Sequence, residues 1–154
     1  MRYFSRHGGW SRHVQKAYRS GLEETVAEEL KNAGMEYQYE RHHIDYSIPA
    51  SLHHYTPDFV LANGIIVETK GLFDATDRRK HLLIKKQHPD LDIRFVFSNP
   101  NTKLYKGSKT TYAEWCYKNG FRYATKVIPL SWLKERKKKL KDTDIYERES
   151  KVKT

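Results

Sequence analysis

The sequence predicts an α/β fold in which a mixed central β-sheet is flanked by helices. Three observations carry this. Segments with helical periodicity and capping residues occupy 20–33 and 76–88, and short apolar runs of strand length occupy 59–61, 65–67 and 93–97. The two kinds interleave without a regular βαβ repeat, which favours a mixed sheet over a wholly parallel one. At 154 residues the chain suits one domain.

Residues 1–19 carry Arg2, Arg6, Arg12, Lys16 and Arg19 with His7 and His13, broken by Gly8-Gly9 and without an acidic residue. Residues 1–17 read as a flexible basic arm, either one that orders on a phosphate backbone or a solvated tail. From Ser20, apolar Leu22, Val26, Ala27 and Leu30 recur at helical spacing, and Gly34 supplies a left-handed stop, so the spacing predicts a helix over 20–33. Ser20-Gly21-Leu22-Glu23 has the form of a capping box, in which Glu23 would reach back to the backbone of Ser20. A second reading of Glu23 is a carboxylate in the first helical turn that faces a metal.

Met35, Tyr37 and Tyr39 alternate, then Ile44, Tyr46 and Ile48 alternate in the other phase, which implies one strand with a bulge or two strands. Pro49 must interrupt the ladder, because proline donates no backbone hydrogen bond. The segment is then a hairpin corner or a bridge into another subunit. Beyond 71–75, Thr76 or Asp77 caps a helix through His88, with Leu82, Leu83 and Ile84 as the apolar seam and Arg78, Arg79, Lys80, Lys85 and Lys86 as a charged surface. Residues 93–97 read as a buried strand. Thr111-Tyr112-Ala113-Glu114 is a further capping box for a helix that stops at Gly120, 121–124 is an edge strand, and Pro129 opens a helix through Trp132 and Leu133. Residues 134–154 are crowded with Lys and Arg and read as a flexible basic tail.

Lys and Arg number 29 against 19 Asp and Glu, a net charge of +10. That excess points to a polyanion, and nucleic acid fits better than membrane because no long apolar run or basic amphipathic helix is present; an inert basic surface is the plain alternative. Cys116 is the one cysteine, so no intramolecular disulfide forms and no soft zinc site is available. With no secretory signal pattern, these features imply a reduced, cytoplasmic setting.

The chemistry concentrates in Tyr55 to Gly71, Y-T-P-D-F-V-L-A-N-G-I-I-V-E-T-K-G. Glu68 and Lys70 share one face of a strand, about 6.6 Å apart, with Thr69 turned away. A strict two-residue Asn63-Gly64 loop would set Asp58 opposite Thr69. A three-residue loop Ala62-Asn63-Gly64, with Gly64 left-handed, sets Asp58 opposite Glu68, and this second register is the one expected. Two hard carboxylates then converge on a cation such as Mg²⁺, which accepts phosphate oxygens as its remaining ligands, with Lys70 beside them. The plain reading is a turn aspartate and an exposed cross-strand ion pair. Lys70 is either a charged stabiliser or a general base, since carboxylates favour its charged form and burial the neutral one. The paired histidines His42-His43 and His53-His54 lie in no metalloprotease frame, and neither a glycine-rich phosphate loop nor a nucleophile elbow is present.

At Pro57-Asp58 and Glu68-Thr69-Lys70 the chain resembles the PD-(D/E)xK nuclease superfamily. More narrowly it resembles the phage endonuclease I family of Holliday-junction resolvases, through Y-R-S-G-L-E (18–23), I-P-A-S (48–51), Y-T-P-D-F (55–59), N-G-I-I-V-E-T-K-G-L (63–72), R-K-H-L-L-I (79–84), H-P-D-L-D-I-R (88–94) and T-K-L-Y-K-G-S (102–108). The likeness spans 18–133, the expected nuclease domain. It implies a restriction-endonuclease-like core in an intertwined, domain-swapped homodimer, with a bridge between subunits near 44–52. It implies catalytic Glu23, Asp58, Glu68 and Lys70, with Asp58, Glu68 and Glu23 binding one or two Mg²⁺ ions, for which Mn²⁺ substitutes. Each site would take Glu23 from one chain and the hairpin residues from the other. Arg12, Lys16, Arg19, Arg78, Arg79, Lys80, Lys85, Lys103 and Lys106 are the expected DNA contacts. The implied activity is cutting of opposed strands in four-way junctions and other branched DNA; the alternatives are a sequence-specific restriction-type nuclease and a non-catalytic DNA-binding protein.

Overall fold

A computed structural model describes residues 18–48, 51–142 and 144–147. Arg12, Lys16, the rest of the expected arm, Pro49, Ala50 and residues 148–154 lie outside the described residues. Strand β1 (Tyr37–Tyr39), β4 (Phe59–Leu61), β5 (Ile66–Lys70), β6 (Ile93–Phe97) and β7 (Arg122–Thr125) form a sheet in the order β1-β4-β5-β6-β7. The pairings β1/β4 and β4/β5 are antiparallel, and β5/β6 and β6/β7 are parallel, so the sheet is mixed as expected.

Strand alternation assigns the sheet's two faces to two cores. On one face Tyr37, Tyr39, Phe59, Leu61, Val67 and Val96 meet Val26, Ala27 and Leu30 of α1 (Gly21–Asn32) and Trp132 of α4 (Leu130–Leu133). On the other, Val60, Ile66, Phe95 and Phe97 meet Ile84 of α2 (Ala75–Gln87) and Trp115 and Cys116 of α3 (Tyr112–Asn119). Beside this second core, β2 (His42–Ile48) and β3 (Ser51–Tyr55) form an antiparallel hairpin that contributes Ile44, Tyr46 and Tyr55. Among the described residues no helix is long and apolar enough to cross a membrane.

The 35–48 segment resolves into two strands, and the break is Glu40, whose φ of +50° lies in the left-handed region and turns the chain between β1 and β2. Ile48 pairs with Ser51, so within one chain the segment read as a corner or a bridge closes as a hairpin. Helix α2 is capped by Asp74, which accepts from the backbone of Asp77, rather than by Thr76 or Asp77. Its buried seam is His81 and Ile84, with Leu82 exposed; His81 sits edge-on to Tyr55, Phe95 and Phe121, and burial keeps its imidazole neutral. The capping box of α3 forms with both reciprocal bonds, and Gly120 ends the helix left-handed.

The expected flexible tail is the largest correction. Residues 134–142 and 144–147 fold back along the domain. The Lys138 backbone donates to Asn63 O, its ammonium reaches Asp92, and Glu135 bridges Arg94 and Arg122. Ile145 is 4% exposed within the second core, and β8 (Tyr146–Glu147) pairs with His42 and His43 of β2. Sequence periodicity missed this because the strap is held by single anchors spaced among solvated lysines, which leaves no repeating apolar pattern. Ile145→Ala should therefore destabilise the protein by about 2–4 kcal/mol in urea unfolding, the cost of an emptied core site. A solvated tail would show no change.

Candidate active site

The β4–β5 turn sets the site. Phe59 faces Val67 and Val60 faces Ile66, and the Leu61 amide donates to Ile65 O, so the loop is Ala62-Asn63-Gly64 and Asp58 falls opposite Glu68. Gly64 has φ +87°, and a Cβ there would stand 2.7 Å from Lys138 O, so both the conformation and the close approach require glycine. The backbone amide of Asp58 donates to Glu68 Oε2 at 3.3 Å, and the Tyr55 hydroxyl donates to the same oxygen at 2.6 Å. Thr69, on the opposite face from Glu68, donates to Asp58 Oδ2 from its amide at 2.9 Å and its hydroxyl at 2.8 Å.

Glu23 arrives from the first turn of α1 and is 6% exposed. Ser20 caps the helix by accepting from the Glu23 amide, but the Glu23 carboxylate does not close a capping box: it accepts from the hydroxyls of Tyr39 and Ser20. Carboxylate oxygens of Glu23, Glu40 and Asp58 lie within 4.8 Å of one another. Glu40 was not foreseen; its one sequence signal is its position where the strand phase flips. Glu68, expected in this set, is tied instead to Tyr55, the Asp58 amide and Lys70, whose ammonium stands 3.5 Å away.

Two cationic side chains partly neutralise these carboxylates. The Arg19 guanidinium contacts Glu40 at 2.6 Å and Asp58 at 3.4 Å, and Lys70 sits between Glu68 and Asp77, the latter at 3.3 Å. Burial, then the nearby Glu68 charge, pushes Asp58 up to about 8 against the hydrogen bonds from Thr69. Burial likewise raises Glu68, opposed by Lys70 and Tyr55. For Lys70, burial works against the charge, but Glu68 and Asp77 outweigh it and hold the ammonium above its usual value. Asp77 was read from sequence only as a helix cap, because the partner it meets is seven residues away on another element.

A cavity of about 380 Å³ opens onto this cluster, lined by Arg19, Glu40, His54, Tyr55, Thr56, Glu68, Lys70 and Lys80. Of the expected DNA contacts, Arg19 and Lys80 line it. Arg78 is bound to Phe73 O and Leu104 O, and Lys85 is bound to Gly120 O over the Phe121 ring, so both serve contacts inside the fold. Arg79, Lys103 and Lys106 are exposed.

The donor set fits a hard divalent cation: three carboxylates, buried or half-buried, converge where a guanidinium already supplies positive charge, and among the described residues no cysteine joins them. Fold and site together define an α/β protein with an acidic centre at one end of a mixed sheet. The Phage endonuclease I family matches residues 3–153. Endonuclease I of Escherichia phage T7 is 57% identical over 124 residues, covering 80% of this chain and 83% of that protein. Endodeoxyribonuclease 1 of Enterobacteria phage T3 is 56% identical over 125 residues, covering 81% and 82%. The chain belongs to the phage endonuclease I family and is an endonuclease.

An acid whose folded pKa is raised contributes stability below its unfolded pKa, about 4, and loses it as pH climbs towards about 8, because the unfolded chain has released the proton that the fold retains. Cation-free protein should lose stability across that window. Asp58→Asn should flatten the loss and raise Tm at pH 8 by roughly 2–8 °C, equivalent to about 1–2 kcal/mol. Added Mg²⁺ should stabilise wild type more at pH 8 than at pH 6, and calorimetric melts at the two pH values check both statements.

Proposed function

We propose that this chain is a Mg²⁺-dependent endodeoxyribonuclease selective for branched DNA, chiefly four-way junctions, acting as a homodimer in the host-cell cytoplasm. The observation that carries the reading is the convergence of Glu23, Glu40 and Asp58 beside the Glu68–Lys70 pair in a chain of net charge +10. Glu23, Glu40 and Asp58 would hold one or two ions, with Glu68 completing the set on rearrangement, and Mn²⁺ would substitute. Bound there, the ion polarises a phosphate and lowers the pKa of a water nucleophile.

The chain's own residues account for the rest. Lys70, kept charged by Glu68 and Asp77, stabilises negative charge on the pentavalent phosphorus rather than accepting a proton. Thr69 and Tyr55 orient the Asp58 and Glu68 carboxylates by hydrogen bonds. Arg19, which contacts Asp58 at 3.4 Å, keeps an exposed side chain that would reach the phosphate backbone. Recognition by shape and backbone charge suits a cleft lined by Arg19 and Lys80, with the exposed Arg79, Lys103 and Lys106 as further proposed backbone contacts. A two-fold dimer would suit the reading, because resolving a junction takes two opposed cuts and two sites at fixed separation would supply them. Exchange at the β2–β3 hairpin would build that dimer.

The test is Mg²⁺-started cleavage of a labelled four-way junction beside a linear duplex of the same sequence. Paired cuts near the branch, absent from the duplex and from Glu68→Ala, are expected. Sequence-dependent cutting of the duplex would favour a restriction-type nuclease, and binding without cutting in Mg²⁺ or Mn²⁺ would leave a DNA-binding protein. Sharing of sites is tested by refolding Glu23→Ala with Lys70→Ala chains: mixed dimers should recover about half of wild-type activity, one working site of two. Inactive verified heterodimers would refute exchange.

A further inference from the structure

One wall of the cleft is unused by this chemistry. His54 of β3 lines the cavity together with Tyr55, Thr56, Glu68 and Lys70, and its side chain remains 57% exposed. It is held from behind by two other elements. Its cross-strand partner Asp45, on β2, meets His54 Nδ1 through Oδ1. Tyr146, carried in by the C-terminal strap, donates its hydroxyl to the same Asp45 oxygen at 2.6 Å and stands 3.2 Å from His54 Nδ1. His43 flanks the pair with its ring 5.6 Å from that of His54, and is itself hydrogen-bonded to Thr56 at 2.9 Å.

This arrangement fixes how the ring can act. The Tyr146 hydrogen bond keeps Asp45 ionised, so the Nδ1 proton stays on the side of Asp45 and Nε2 is the nitrogen left for a ligand. A neutral ring then offers only a lone pair at Nε2, which an anionic phosphate oxygen repels. A ring carrying both protons offers a charge-assisted donor there. The charged and titratable groups around it are Asp45 and His43 on β2, Tyr146 on β8, and Arg19, Glu40, Glu68, Lys70 and Lys80 across the cleft.

We propose that His54, buttressed by Asp45 and Tyr146, is a phosphate contact of the cleft wall that grips the DNA backbone when its ring is doubly protonated. The inference rests on reading the cleft as the DNA-cutting site. It also gives the C-terminal strap a task in the site: Ile145 anchors the strap in the core, and the next residue braces the histidine.

The experiment is affinity of the full chain for a labelled four-way junction in EDTA, from about pH 6 to about pH 8.5, for wild type, His54→Gln and His54→Lys. At the acid end His54→Gln should bind about tenfold more weakly than wild type, the worth of one charge-assisted hydrogen bond, and the two should converge at the alkaline end. His54→Lys should stay tight throughout. Tyr146→Phe should fall between wild type and His54→Gln. In Mg²⁺, His54→Gln should raise KM at acid pH while kcat is kept. A His54→Gln curve that superimposes on wild type at every pH overturns the proposal. A wild type that neither binds nor cuts the junction defeats the nuclease reading itself, whereas one that cuts it while His54→Gln binds like wild type defeats only this inference.

Discussion

The register between β4 and β5 is held by a three-residue turn in which Gly64 takes a left-handed conformation against the backbone of Lys138, and the acidic centre depends on that register. A shift by one residue would exchange the faces of every side chain on β5, sending Glu68 towards α1 and Thr69 towards the cleft. The turn, the sheet and the strap are therefore one device. The strap closes over the turn through the Lys138 amide and Asn63 O, while Asn63 donates its own side-chain amide to Trp132 O. What looks from sequence like a basic tail is a clamp on the active-site register.

The centre itself is built against the fold's interest. Asp58, Glu68 and Glu23 are 2%, 5% and 6% exposed, and burying carboxylates together raises the cost of charging them. The protein meets that cost with fixed donors, Thr69 for Asp58, Tyr55 for Glu68 and Tyr39 for Glu23, and with the resident cations Arg19 and Lys70. A cation bound as proposed would offset that cost, so the groups that weaken the protein on their own would be those that give it affinity for the ion.

Much of this was legible in the sequence, and for physical reasons. Alternation in Tyr37-Gln38-Tyr39 and the short apolar run 93–97, buried on both faces, declare strands locally, and Ser20, Thr111 and Gly120 mark helix ends because caps are local too. The three-residue turn followed from arithmetic on two carboxylates that needed to meet. Glu40 and Asp77 were missed as site groups, and Arg19, expected as a DNA contact, was not foreseen as an ion-pair partner of the carboxylates, because these roles come from partners 18, 7 and 39 residues away, as in Glu40 with Asp58, Asp77 with Lys70, and Arg19 with Asp58. The Asp45–His54–Tyr146 group was hidden likewise, since it joins three strands of which one lay in a segment read as solvated. His81 was overlooked because a histidine at a helix seam is judged polar, although an aromatic cage makes it part of the core.

The β2–β3 hairpin closes within one chain, and in that closed form Glu23, Glu40, Asp58, Glu68 and Lys70 are all contributed by the same polypeptide. Opening the hairpin and exchanging it between copies would reassemble the same contacts across two chains, so exchange neither creates nor removes an acidic centre. On the proposed dimer, the ability to break a strand and the ability to break two strands in concert would thus be separable properties. The first would belong to a single lobe, and the second to the tether that would keep the two lobes of the proposed dimer at a set distance.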